Sequence, residues 1–451
     1  MKMNRENEQT RSIVSGINEY YKQTFGFNED LISLVSECED ELAGDFARQE
    51  KIAEYWQARV LTAFQNARIS DTHFGWNTGY GHNDQGREKT EEVFAGVFGT
   101  EKALVRTNIV NGTHAIALAL LGVLRNGDEL IYASGTPYDT MQTVIGTAGT
   151  GEKGQGTLLE YGIRYKDIPL CADGNIDLEA LRKAVSPDTR MIAVQRSMGY
   201  GFRNCITVNQ VENVVKLAAE ISREQGRSPE DHIVVMVDNC YCEFVSFDDI
   251  GSTGADLICG SLIKNPGGGI SLSGGYICGR EDLVDMISYR LTCPGIGAEC
   301  GLTFGQTRPM LQGLFVAPRV AESAAKGAML CGRVMEKLGF EVCPSSDSPR
   351  NDIIQAVRIG SAQGLEAFCL GIQKAAPVDA HVVPVGDEMP GYDDPVIMAA
   401  GTFVQGSSIE LSCDGPMREP YTAYFQGGLS YPHSKIGVMT AVKELLERRN
   451  G

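Results

Sequence analysis

The stretch GADLICGSLIKNPGGGI, residues 254–270, places one lysine in a run that carries no other charge after its opening aspartate. Leu257, Ile258 and Cys259 read as the end of a buried strand, and Gly267, Gly268 and Gly269 leave bare backbone just beyond it. Lys264 is therefore expected in a narrow, poorly hydrated place. Desolvation disfavours an ammonium, so the amine's pKa is expected to fall and the free base to act as a nucleophile. Read as structural, the same residue would extend its charge to solvent or pair with Asp256.

Two further motifs bear on that lysine. In VVMVDNCYCEFV an apolar run ends at Asp238, and an acid at the C-terminal end of a parallel strand lies where open α/β sheets bind ligands. Capping of the next element is its structural alternative. Asn111, Gly112 and Thr113 stand ahead of the apolar run HAIALALLGVL, small and hydroxylic residues that suit a helix start whose N–H groups and dipole meet a phosphate. Glycine and threonine also begin helices simply as caps. No G-x-x-x-x-G-K-[ST] loop occurs, so a Walker nucleotide site is excluded.

Around these motifs the chain alternates. Residues 8–70 carry apolar positions three and four apart, among them Leu31, Leu34, Val35, Trp56 and Val60, and read as a leading helical arm. Strands are expected at 103–106, 129–133, 191–195, 233–238, 256–259 and 275–278, with helical runs at 114–124, 177–184 and 208–224 between the earlier ones. Such alternation gives an α/β fold with a mainly parallel sheet covered on both faces. A long helix over 307–338, with Pro309 near its start and Pro318 expected to kink it, leads towards a smaller α+β unit that closes with a helix over 434–449. The expected division is an arm at 1–70, a large domain at 71–305 and a small one at 306–451.

Composition narrows the partners. With 58 acidic against 40 basic residues the net charge is −18, which repels nucleic acid and anionic membranes and leaves small molecules as ligands. No segment approaches the roughly 20 apolar residues of a membrane span, the first ten residues are too polar for a secretory signal, and the expected location is the cytoplasm. The 13 cysteines lie mostly in apolar runs, where a free thiol acts as a small hydrophobe. Cys240 and Cys242 have no second Cys or His pair at zinc spacing, so no metal site is expected.

The order of Gly112-Thr113, Asp238 and, 26 residues on, Lys264 with Ser261 three residues before it resembles the signature of pyridoxal-phosphate enzymes of the aspartate aminotransferase superfamily, fold type I. Within it the chain is similar to the cystathionine lyase and methionine γ-lyase-like branch, including the family labelled aluminium-resistance proteins. The runs TGYGHNDQGRE, NIVNGTHAIALAL, SGTPYDT, QRSMGY, VDNCYCEF, GSLIKNPGGG and DGPMREPYTAYFQGGLSY carry the likeness from residue 78 to 431. Met198 in QRSMGY departs from it, where a basic residue is expected.

The resemblance implies a mainly parallel seven-stranded sheet in the large domain. It implies pyridoxal 5'-phosphate held covalently by Lys264, whose freed amine then shuttles the substrate α-proton. Asp238 would pair with the pyridine nitrogen; Gly112, Thr113 and Ser261 would grip the phosphate; Tyr138, with His114 as competitor, would lie over the ring. Tyr80, ahead of Arg87, resembles a segment that reaches a neighbouring subunit's phosphate and helps protonate the leaving group. Arg418 and Arg196 are the candidates for the carboxylate of an amino-acid substrate, and a homodimer or homotetramer is implied. The activity so implied is carbon–sulfur lysis of a sulfur amino acid to a 2-keto acid, ammonia and a thiol. Transamination or aldol cleavage uses the same residues, and a scaffold or stress-response role without chemistry is the reading from another class.

Overall fold

A computed structural model describes residues 2–148, 154–389, 392 and 394–450. Its N-terminal third contains α1 (Lys2–Phe25), α2 (Glu29–Asn66), α3 (Gln85–Phe98), β1 (Lys102–Arg106), α4 (Gly112–Val123), β2 (Glu129–Tyr132) and α5 (Asp139–Ile145). The expected single helical run is thus two helices. The chain turns at Gly26, whose φ of 66° is left-handed, and α2 restarts on Asn28, whose side chain accepts the Leu31 N–H at 2.8 Å.

The middle of the chain supplies β3 (Arg164–Asp167), α6 (Leu178–Ala184), β4 (Thr189–Gln195), α7 (Val208–Glu224), β5 (Val234–Asp238), β6 (Leu257–Ser261), β7 (Gly275–Gly279) and α8 (Glu281–Leu291). Thr207 starts α7 with a reciprocal cap: its hydroxyl accepts the Gln210 N–H at 3.3 Å, and Gln210 Oε1 accepts the Thr207 N–H at 3.2 Å. The seven strands pair in the order β1-β7-β6-β5-β4-β2-β3. From β6 to β3 they are parallel, and β7 runs antiparallel to both of its neighbours. Strand β5, VVMVD, is buried at every position, as a strand covered on both faces must be. Strand β3 has no counterpart among the expected strands; its sequence, RYKD, is polar because it lies at the sheet edge.

The C-terminal part contains α9 (Thr307–Lys337), β8 (Glu341–Cys343), β9 (Ile354–Arg358), α10 (Ala362–Lys374), β10 (Gly386–Asp387), β11 (Val396–Ala399), β12 (Ser412–Pro416), β13 (Thr422–Gln426) and α11 (Tyr431–Asn450). These strands form an antiparallel sheet in the order β10-β11-β12-β13-β9-β8. Two long helices tie the sheets together. Trp56, Val60 and Ala63 of α2 pack in the core of the parallel sheet, whereas Leu31, Ile32 and Val35 pack in that of the antiparallel sheet. Helix α9 does the same, through Met310, Leu311 and Leu314 at one end and Leu330, Val334 and Met335 at the other. Pro309 lies in the first turn of α9, where no amide hydrogen bond is lost, and Pro318 lies within the helix.

Candidate active site

Parallel strands β4, β5 and β6 end side by side. Gln195 is in register with Asp238, and Asp238 with Cys259. Their C-terminal ends open into a cleft of about 210 Å³ between the two sheets. The parallel sheet and its loops contribute Gly112, Thr113, Tyr138, Asp238, Ser261 and Lys264 to the lining; the antiparallel sheet contributes Ile354, Asp414, Tyr424 and Gln426. The cleft thus gathers six of the expected residues.

Lys264 stands just past β6, at the start of a 3₁₀ turn over Asn265–Gly267. The turn is clamped from beneath, because the fully buried Asn265 amide donates to the carbonyls of Tyr241 at 3.0 Å and Glu243 at 2.9 Å. The glycines that follow are dictated by space: a Cβ on Gly267 would sit 1.6 Å from the Leu262 carbonyl oxygen, and one on Gly268 would sit 2.5 Å from that of Gly313 in α9. Lys264 Nζ lies 3.9 Å from the centroid of the Tyr241 ring. The expected depression of its pKa is not what the cleft produces. Burial lowers it, but the acidic groups Cys240, Tyr241, Asp238 and Tyr138 together outweigh burial and hold the amine well above its ordinary value.

Asp238 is 5% exposed and accepts the Cys240 N–H at 3.1 Å. Burial raises its pKa, while the Lys264 charge and the Cys240 N–H oppose the rise. A buried carboxylate with so little compensation calls for a further positive donor, which a protonated ring nitrogen would be. At the other end of the cleft, Asn111 Oδ1 accepts the His114 N–H at 2.8 Å. The N–H groups of Gly112 and Thr113, in the first turn of α4, have no intrahelical acceptor and suit an anion. A Cβ on Gly112 would meet Cys240 Sγ at 3.0 Å and Ser261 Cβ at 3.3 Å, so only glycine lets this helix start approach β6 so closely. The Tyr138 hydroxyl lies 2.9 Å from Thr113 Oγ1, and the Tyr138 N–H donates to Gln195 Oε1 at 2.9 Å. These residues fit a pyridoxal phosphate: an amine, a carboxylate, an aromatic ring and a helix N-terminus share one cleft.

Four candidates lie elsewhere. His114 is outside the lining, and its Nδ1 accepts the Val110 N–H at 3.2 Å, which serves the turn before α4. Arg196 is 2% exposed and points into the protein, donating to Asn239 Oδ1 at 2.6 Å and to the Ile206 carbonyl at 3.0 Å. Arg418 lines a neighbouring pocket, pairs with Asp394 at 3.1 Å and keeps 43% of its side chain exposed. Neither arginine meets the carboxylate-binding expectation within this chain's cleft. Tyr80 is 71% exposed and stacked on His82, outside the lining of its own chain's cleft. Arg87 anchors that segment by donating to the Gly81 and Gly301 carbonyls, both at 2.8 Å. Met198, at the position where a basic residue is expected, is a buried core residue packed with Ile354 and Tyr424.

The sequence reading overlooked Gln195, Tyr241 and Asp414. Gln195 had a signal, since it ends the strand beside the one that Asp238 ends. Asp414 lies in the same DGPMREPY run as Arg418, but four residues earlier, where strand alternation sends Cys413 into the core and Asp414 to the cleft. Among the described residues no group of three His, Cys, Asp or Glu could hold a metal ion, and no helix is long and apolar enough to cross a membrane.

The methionine gamma-lyase family model matches residues 31–446. The Bacillus subtilis protein YnbB is 45% identical over 426 residues, which cover 94% of this chain and 99% of YnbB. A carbon-sulfur lyase involved in aluminum resistance from Clostridium novyi NT is 43% identical, with a TM-score of 0.88 over 94% of this chain and 98% of that one. A more distant structure from Campylobacter jejuni, proposed to be an O-acetylhomoserine (thiol)-lyase and containing a pyridoxyl-lysine phosphate, covers 81% of this chain and 86% of its own. At 16% identity and a TM-score of 0.53 it shows the shared fold alone, that of fold type I.

Proposed function

The chain belongs to the methionine gamma-lyase family, and from that premise we propose that it is a pyridoxal-phosphate-dependent carbon–sulfur lyase acting on a sulfur amino acid. The observation that carries the reading is the convergence of Lys264, Asp238 and the N-terminus of α4 on one cleft. A scaffold needs none of the three together.

Bound there, pyridoxal phosphate supplies an electron sink for the pair left when the substrate Cα loses its proton. Lys264 would hold it covalently through Nζ, and that Nζ is the group that would take the substrate α-proton. Asp238 would keep a proton on the ring nitrogen. The first turn of α4, with Ser261, would hold the phosphate, and Tyr138 would serve the ring. A departing thiolate needs a proton, and Tyr80 is proposed to bring it to a neighbouring subunit's cleft in a homodimer or homotetramer. Its exposure on its own chain supports that reading. The thirteen free cysteines support a reducing, cytoplasmic location.

The test is to mix the protein and pyridoxal phosphate with L-methionine, L-cystathionine or L-cysteine, without an acceptor keto acid. Thiol or sulfide and keto acid are expected to appear together, and Lys264→Ala is expected to lower the rate by at least about a thousandfold. Dependence on an added keto acid would make the protein an aminotransferase, and release of glycine with an aldehyde would make it an aldolase. Failure to bind the cofactor at all would return it to the scaffold class.

A further inference from the structure

The antiparallel wall of the cleft carries groups that the chemistry above leaves unused. Asp414 of β12 faces the cleft and accepts hydrogen bonds from the Tyr200 hydroxyl at 3.2 Å and from Gln426 Nε2 at 3.3 Å. Both donors are neutral. The cation that acts on Asp414 is Lys264, whose nitrogen the lyase reading commits to the cofactor. Burial raises the Asp414 pKa to about 6, so at neutral pH the carboxylate is still mainly charged, in a closed space short of positive charge. Such a group is costly unless a cation joins it.

Aromatic rings surround it. Tyr200 lies 5.1 Å from Tyr424 and 5.6 Å from Tyr392, centroid to centroid, with interplanar angles of 34° and 38°. All three line the same cleft as Asp414. The faces of such rings attract organic cations, and the Tyr241 ring, also in the lining, already carries Lys264 Nζ 3.9 Å from its centroid. An anion at this wall repels a substrate's own carboxylate, which must therefore lie away from it. A side chain that reaches this wall brings its sulfur end to Asp414.

We propose that Asp414, with Tyr200, Tyr392 and Tyr424, binds a positive charge carried by the leaving group, so that the enzyme prefers cationic sulfur amino acids to neutral thioethers. The charge is a sulfonium at the scissile sulfur or an ammonium at the far end of the thioether. This selection rests on the lyase reading. With a sulfonium the carbon–sulfur electron pair moves to sulfur, and a neutral thioether departs without needing a proton. Water supplies the keto oxygen, nitrogen leaves as ammonium, and one proton is released per turnover. With an ammonium-ended thioether the departing thiolate is protonated, and the distal charge leaves with it.

Two pairs of probes test the assignment on the cofactor-loaded protein. S-methyl-L-methionine is compared with L-methionine, and S-(2-aminoethyl)-L-cysteine with its neutral isostere S-propyl-L-cysteine. The cationic member of at least one pair is expected to be favoured by about tenfold or more in kcat/KM and in equilibrium binding. Which pair responds tells a sulfonium from an ammonium. Asp414→Asn, or Asp414→Ser if the first variant does not fold, is expected to bring that ratio below about threefold. No preference in either pair, or a preference that survives the variant, overturns the proposal, and the wild-type ratios alone suffice for the first of these outcomes. If no probe releases a sulfur product, the lyase reading falls, and the binding ratios still decide this proposal.

Discussion

The parallel sheet delivers Asp238 and Lys264 to the cleft from a strand end and from the turn just past one, whereas the antiparallel sheet presents Asp414 and Tyr424 from within its strands. At a parallel strand end the backbone leaves the sheet, and the residue there is free of the alternation that packs its neighbours. Within an antiparallel strand, a residue facing a ligand obeys the same alternation as one facing solvent. On the proposals above, the first wall would hold what the reaction has in common with its fold class, and the second would tell one substrate from another. Charge does not separate the walls: Asp238 and Asp414 each accept only neutral hydrogen-bond donors, and each feels the Lys264 charge.

Asp238→Asn gives the largest expected effect of the three changes that probe this contrast. Losing a charge aimed at the electron sink should cost about a hundredfold or more in kcat, with cofactor absorbance displaced but the preference among substrates unchanged. A change in substrate ranking instead would erase the division between the walls.

A second change tests what lies behind the parallel wall. Glu243 is buried, accepts the Tyr276 hydroxyl at 2.7 Å, and has its pKa pushed by burial from 4.5 up to about 7. The folded protein therefore keeps a proton that the unfolded chain loses first. Between about pH 4.5 and pH 7 stability should fall as pH rises, by on the order of 3 kcal/mol, a loss fully developed above the folded value. Glu243→Gln keeps an oxygen acceptor for Tyr276 and removes the titration, so thermal melting across that window should lose this slope. An unchanged slope would mean that the charge is compensated and that this support is not selectively protonated.

The smallest effect belongs to the rim. Arg418→Ala breaks an exposed pair with Asp394, worth below about 1 kcal/mol, and should change kcat/KM by less than about twofold. A tenfold or greater rise in KM would bring Arg418 back as the carboxylate partner and move the substrate-binding wall outward.

Legibility followed the same division. Strands β4 to β7 are near-continuous apolar runs, and their residues read as strands because both faces are covered. Strand β3 did not, since at the edge of the sheet it pairs through its backbone with polar side chains. Gly112, Thr113, Asp238, Ser261 and Lys264 were legible because their spacing along the chain reflects strand ends and helix starts. The two arginines were singled out because guanidinium chemistry suits a carboxylate wherever it lies. Arg196 is instead turned inward to Asn239 and the Ile206 carbonyl, and Arg418 pairs with Asp394. Nothing local to the sequence distinguishes those destinations.

By itself the sequence determined the alternating architecture, the glycine-threonine helix start and the placing of the aspartate and lysine at and just past strand ends, because periodicity, capping and glycine placement are local consequences of backbone geometry. The tertiary structure alone decided that α2 and α9 would bind two sheets into one body, that the Lys264 amine would be held charged, and that Asp414 with its tyrosines would face it. These depend on which groups come together across the cleft, where packing and local electric fields act over distances in space that separation along the chain does not encode.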